Sequence, residues 1–281
     1  MLENDISVII TTYERKSSFK KALDSVLNQS HKNFELVVVD DNSKENYVED
    51  MLKATNLNYK YVKNSINKGI AETRNIGIEL ATSPIICFLD DDDEYFPDFL
   101  KNTLDTLKNS PEDVVMTWSN AKINIYKDSQ LSPTLTKNRI FHCTDYANYI
   151  DLLSIGTGYG IALKKNCFDK IGKFDTNFKV TEDTEFFVRL MNAGFKCRIN
   201  TDINILINHH ISTRQTSSKN DDLRISETIV IMNKYFDFFE SNQDLKLEME
   251  NYISLLKNRS MQRGSEKNIP KHFIASGTVT Y

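Results

Sequence analysis

The stretch Pro84-Ile85-Ile86-Cys87-Phe88-Leu89-Asp90-Asp91-Asp92-Asp93-Glu94 decides how this chain is read. Its first six residues carry no charge and do not alternate, the pattern of a short strand buried on both faces. Five acidic residues follow without a break. Adjacent carboxylates raise one another's pKa unless a cation is present. A divalent ion such as Mg²⁺ or Mn²⁺ relieves that repulsion, because both prefer oxygen ligands. The competing reading is a solvated acidic turn ahead of a helix that begins at Asp98.

Working toward the N-terminus, a helix is predicted from Gly69 to Ala81, a strand over Tyr59–Val62, a weaker helix over Glu45–Ala54 and a buried strand over Phe34–Val39. Phe19, Ala22, Leu23, Val26 and Leu27 fall on one stripe of a further amphipathic helix, preceded by the strand Ser7–Ile10. Working toward the C-terminus, Leu100, Leu104 and Leu107 mark a helix and Val114–Trp118 a strand. Strands alternating with helices predict a parallel sheet with helices on both faces. Beyond it the pattern loosens. Lys122–Tyr126 alternates like an edge strand, and Tyr159–Leu163 reads as a strand after Gly156 and Gly158. A helix starts near Thr181–Asp183, runs to Asn192 and is ended by Gly194. Ile203–Ile207 reads as a strand leading into His209-His210, helices are expected over Leu223–Phe239 and Leu245–Lys257, and His272–Tyr281 reads as a short strand or loose end.

In open α/β sheets ligands sit beyond the carboxyl ends of the strands. The residues there are Thr11 to Arg15, Asp40 to Ser43 and the acidic run, so polar groups converge on one edge from three strands. Arg74 shares a helix stripe with Ile70, Gly77, Ile78 and Ala81. A buried arginine needs an anionic or aromatic partner. That partner is either a core carboxylate such as Asp41 or a bound phosphate or base. Asp183, with Glu182 beside it, lies on the inward stripe of Phe186, Phe187, Leu190 and Met191. It is either an acidic helix cap or a general base in a pocket. The histidine pair is either structural or part of a metal shell.

The 281 residues suffice for about two domains, or one large α/β domain with an extension. A 40% hydrophobic and 26% charged composition is that of a globular protein, and a net charge of −4 argues against a broad basic surface for nucleic acid. No stretch approaches the ~18 consecutive apolar residues of a membrane span. The N-terminal residues lack the pattern of a signal peptide. Cys87, Cys143, Cys167 and Cys197 form no CxxC pair and read as free thiols in a reducing compartment, so a cytoplasmic location is expected.

The series SVIITTYER, SVLNQS, FELVVVDDNS, NKGIAETRN, FLDDDDEYFP, GKFD and a Glu-Asp pair resembles, in order and spacing, the family 2 glycosyltransferases of the GT-A fold, over about residues 5 to 195. The resemblance implies a Rossmann-like, mostly parallel sheet flanked by helices in a catalytic domain at 1–215. Residues 1–118 would be its nucleotide-binding half and 119–215 its acceptor-binding half, with a C-terminal helical extension at 216–281. It implies a nucleotide-sugar donor, usually a UDP-sugar, and Mn²⁺ or Mg²⁺. By carry-over, Thr11 and Tyr13 line the base pocket, Asp41 meets the uracil ring and Arg74 lies beside base and diphosphate. Asp90 and Asp91 face ribose and sugar, Asp92 is the metal ligand, Asp183 is the catalytic base with Glu182 beside it, and His210 is a candidate on metal or diphosphate. Glu14 departs from the family's usual Asn or Asp, and four aspartates leave the DxD register open by one residue.

The lack of a QxxRW motif and of a membrane span points to a non-processive enzyme, and the resemblance implies an inverting transferase acting on a hydroxyl of a glycan or lipid-linked oligosaccharide in surface polysaccharide synthesis. Peripheral membrane contact at the inner face and homo-oligomerisation are compatible with this. Two other readings compete. A sugar-phosphate nucleotidyltransferase would need a Gly-rich basic loop that TTYER lacks, and a non-catalytic scaffold sits poorly with intact Asp41, Asp92 and Asp183.

Overall fold

A computed structural model describes residues 4–55, 57–127, 132–141, 149–210 and 218–265. The elements run β1 (Ile6–Thr12), α1 (Lys16–Leu27), β2 (Phe34–Asp40), α2 (Tyr47–Lys53), β3 (Tyr59–Lys63), α3 (Ile70–Leu80), β4 (Ile85–Asp90), β5 (Glu94–Tyr95) and α4 (Phe99–Lys108). They continue with β6 (Val114–Tyr126), β7 (Leu135–Arg139), α5 (Tyr149–Leu153), β8 (Ala162–Lys164), α6 (Cys167–Ile171), α7 (Glu182–Asn192), β9 (Lys196–His210), α8 (Asp221–Lys234), α9 (Phe236–Ser241) and α10 (Gln243–Ser265).

The described strands form one sheet in the order β3-β2-β1-β4-β8-β6-β9-β5, with β7 paired to β6. Every residue of β1 and β2 is buried, which is why neither segment alternates in sequence. β3, β2, β1 and β4 run parallel, with Thr12 level with Asp40 and Thr11 level with Asp90. The polar residues after three strands therefore emerge at one edge. Gly77 brings α3 down onto β1, because a Cβ there would lie 2.5 Å from Ile9 Cγ2. Arg74, one turn earlier on α3, is thus placed over the same edge.

The sheet is mixed beyond β4. β8 runs antiparallel to both β4 and β6, β7 returns antiparallel along β6, and only the β6–β9 pair is parallel again. Residues 114–126, read from sequence as two strands, form one. Polar Ser119-Asn120 sits where the register shifts, so a bulge replaces the expected break. β9 begins at Lys196 rather than Ile203, because pairing with β6 carries polar Asn200–Asp202 along in the ladder or its bulge. The helix expected over Leu223–Phe239 divides at Tyr235.

The C-terminal helices are fastened by ion pairs. Buried Asp221 on α8 accepts from Arg259 Nε on α10 (2.8 Å) and lies 3.5 Å from Arg224. Glu185 on α7, fully buried, accepts from Lys234 Nζ (2.8 Å) and Tyr235 Oη (2.6 Å). Cys87, Cys167 and Cys197 are buried free thiols. Cys143, the boundary at 215/216 and the tail His272–Tyr281 lie outside the described residues. No described helix is long and apolar enough to cross a membrane.

Candidate active site

A cavity of about 740 Å³ opens at the carboxyl ends of β1, β2 and β4. Thr11, Tyr13, Asp41, Arg74, Asp90, Asp91, Asp92, Glu182 and Asp183 all line it, so the structure gathers all but one of the site residues read from sequence. The exception is His210, whose ring stacks on Tyr126 at 4.5 Å while His209 faces the cavity. His210 still lies close enough for its charge to act on Asp92.

Arg74 is 4% exposed and sits between acids. Its Nη1 donates to Glu182 Oε1 (2.8 Å), and its Nη2 donates to Asp90 Oδ1 (3.0 Å) and Thr157 Oγ1 (2.6 Å). Burial alone would lower its pKa, but Asp90, Glu182 and Asp183 outweigh that and raise it. The Asp41 pairing raised by the sequence does not form. Asp41 instead accepts from Asn64 Nδ2 (2.8 Å), Lys68 N (2.8 Å) and Gly69 N (2.9 Å), binding the loop that leads into α3. Arg74 Nε is buried without a partner.

The four aspartates divide by environment. Asp90 and Asp92 keep 29% and 22% of their side chains exposed, whereas Asp91 keeps 6%. Asp91 accepts from Thr12 Oγ1 (2.7 Å) and Arg15 Nη1 (2.9 Å), which also donates to Asp92 (2.8 Å). Burial pushes the Asp91 carboxyl up to about 6 despite Arg15. Burial also raises Asp92, with Asp90 adding to it and Arg15 opposing. Asp93 is structural: its Oδ1 accepts from Asn208 N (2.9 Å) on β9. The more exposed pair is therefore Asp90 and Asp92, with Asp91 buried between them.

Asp183 stands in the first turn of α7. Thr184 N donates to its Oδ1 at 2.7 Å, and the backbone of Thr157 donates to it as well. Glycine at 156 makes this approach feasible, since a Cβ there would lie 2.9 Å from Asp183 Oδ2. Gly158 does the same for Asp93. Burial raises the Asp183 pKa against the pull of Arg74, and burial with Asp183 alongside raises Glu182. A partly exposed carboxylate with a raised pKa, aimed into a cavity, has the properties of a general base.

Several contributors escaped the sequence reading. Arg15 was visible beyond β1, but its bond to the acidic run depends on strand register. Thr157 and Glu227 had no sequence signal. Glu227 on α8 accepts from Lys179 N (2.8 Å), Val180 N (3.1 Å) and Thr181 Oγ1 (2.8 Å), pinning the segment just before Glu182. Glu14 adopts φ 58°, a left-handed backbone that Asn and Asp tolerate better. Glu14 Oε1 accepts from Lys44 N (3.1 Å) and fastens the turn.

Among the described residues no three His, Cys, Asp or Glu side chains converge as a ready metal cage. A cation that takes one or two carboxylates and completes its shell with phosphate and water needs less. Asp92 and Asp90 supply oxygen-only donors of the right chemistry, with Asp92 now neutralised by Arg15, whose side chain is 40% exposed.

Residues 7–172 match the model of the glycosyl transferase family 2. An uncharacterised glycosyltransferase of Haemophilus influenzae is 30% identical over 193 residues, covering 66% of this chain and 62% of that protein. The Escherichia coli UDP-Glc:α-D-GlcNAc-diphosphoundecaprenol β-1,3-glucosyltransferase WfaP is 26% identical over 195 residues, covering 69% of this chain and 72% of that protein. The crystal structure of S. aureus TarS in complex with UDP shares the fold, with a TM-score of 0.65 at 18% identity over 95% of this chain and 76% of that one. The matched region takes in β2 to β8, all of β1 but its first residue, the acidic run and Arg74, and on that basis the chain belongs to glycosyl transferase family 2.

Proposed function

We propose that this chain is an inverting, non-processive glycosyltransferase. It moves one sugar from a UDP-sugar to a hydroxyl of a glycan or lipid-linked glycan in surface polysaccharide synthesis. The observation that carries this reading is the position of Asp183, with its raised pKa, in the same cavity as Asp90, Asp92 and Arg74. The names of two relatives support the substrate classes: WfaP uses UDP-Glc and a diphosphoundecaprenol-linked sugar, and TarS was crystallised with UDP.

Asp183 accepts the proton of the acceptor hydroxyl as its oxygen bonds to the anomeric carbon. The bond from that carbon to the diphosphate oxygen breaks on the opposite face, so a UDP-α-sugar gives a β-linkage. Thr11 and Tyr13, the latter 45% exposed, offer the base a wall and a stacking face. Asp41 holds the loop beside it. Arg74 fixes Glu182 and Asp90. Mn²⁺ or Mg²⁺ held by Asp92, with Asp90 and His210 as further candidates, would supply charge neutralisation on the leaving diphosphate.

The test is UDP release from a panel of UDP-sugars with sugar-diphosphate acceptors, with EDTA and with Mn²⁺ added back. Release that EDTA stops and Mn²⁺ restores is expected. Full activity in EDTA would remove the role given to Asp92. Pyrophosphate release from a nucleoside triphosphate and a sugar phosphate, without UDP transfer, would replace this reading with a nucleotidyltransferase.

A further inference from the structure

Two groups of elements bring different chemistry to the cavity lining. β1, β2, α3, β4 and the loops after them bring it hydroxyls, carboxylates and arginines, and Ile70 is their one aliphatic contribution among the described residues. β6, α5 and α10 bring Ile125, Ile150, Leu153, Met249 and Leu255. Hydrogen bonds and aromatic faces recognise sugars, whereas an aliphatic wall offers hydroxyl groups only desolvation. Hydrocarbon gains from the same wall.

We propose that the aliphatic side chains from β6, α5 and α10 seat the hydrocarbon carrier of the acceptor, a chain linked through phosphate or diphosphate to the accepting sugar, and that α10 forms its outer wall. This rests on the transferase reading above and names the acceptor class. Two further observations favour that occupant. Lys137 on β7, exposed, places a cation on the cavity lining where the carrier's phosphate is anionic. Leu255 and Tyr252 are 42% and 37% exposed where α10 meets the cavity. They belong to α8–α10, which hold eight of the twelve exposed large apolar side chains among the described residues. The C-terminal helices thereby offer a hydrocarbon chain apolar contact both inside the cavity and on the surface.

Calorimetry on the full chain, saturated with UDP, tests this with two probes below micellar concentration: decyl-diphospho-GlcNAc and methyl-diphospho-GlcNAc. The decyl compound is expected to bind about 50-fold tighter, the equivalent of roughly three buried methylenes at about 0.8 kcal/mol each. Leu255→Asp and Tyr252→Ser, at exposed positions chosen so that the fold persists, should cut that preference to about fivefold while UDP affinity is retained. Lys137→Glu should weaken both probes about fivefold. Equal binding of the two probes to the wild type, or a preference untouched by both α10 substitutions, would overturn the proposal. Failure of the wild type to bind UDP would instead overturn the donor reading on which it rests.

Discussion

Glu35 and Asp183 sit at opposite edges of one sheet and are treated in opposite ways. Glu35, near the start of β2, accepts from Ser7 Oγ (2.5 Å), Thr82 N (2.5 Å), Thr82 Oγ1 (2.9 Å) and Lys60 Nζ (2.8 Å). Burial would raise its pKa, but these donors prevail and hold it down at about 2. At the other edge burial prevails over the donors, and Asp91, Asp92, Glu182 and Asp183 are all raised. A saturated carboxylate braces strands. An under-supplied one keeps its affinity for a proton or cation, and the structure places these four where they face the cavity.

The largest expected effect breaks the comparison at its active end. Asp183→Asn should lower transfer about a thousandfold while UDP affinity stays within about twofold. Turnover near the wild-type rate would show that another group takes the proton. Arg74→Met strikes the cation shared by Glu182 and Asp90. It should destabilise the fold by about 3 kcal/mol, read from urea denaturation, because two carboxylates are left without their counter-ion. An unchanged midpoint would mean that solvent already screens them.

Glu227→Gln should lower kcat about tenfold with unchanged UDP affinity and melting temperature, since a slightly misplaced base costs rate before binding. Partial recovery in Glu227→Asp would identify Glu227 as a positioning residue, and a parallel loss of UDP binding would refute that.

The smallest effect sharpens the contrast through pH. The Glu35 pKa is depressed from 4.5, so the stability it contributes is present above about 4.5 and lost as pH falls toward 2. Asp91 is raised from 3.8 to about 6, so the folded state holds its proton more tightly and stability from this group falls as pH rises between those values. Glu35→Gln should therefore destabilise the protein more near neutral pH than at about pH 3. Asp91→Asn should show its advantage over the wild type growing as pH rises from 3.8 to about 6 and staying level above that. Parallel pH curves for both variants would erase the distinction between the two edges.

The half of the molecule built from β1 to β4 was legible because its signals are local. Unalternating apolar runs, one amphipathic stripe per helix and acidic residues at a strand end all lie within a few positions of one another. The second half was less legible. Ser119-Asn120 and Asn200–Asp202 interrupt the apolar pattern, and only the β6–β9 ladder shows that the strands continue through or around them. Pattern alone left Asp183 poised between a helix cap and a base. Only the tertiary structure sets it beside Gly156 and Thr157 on the cavity lining.

The sequence by itself determined the α/β class, the edge at which polar residues gather and the family, since short-range periodicity and ordered motifs suffice for those. Only the tertiary structure decided that Arg74 bonds to Glu182, 108 residues away, rather than to Asp41. It also decided which two of four aspartates stay accessible and that α10 lines the cavity. Such choices depend on which distant surfaces pack together and on the water that packing excludes, and no local pattern encodes either.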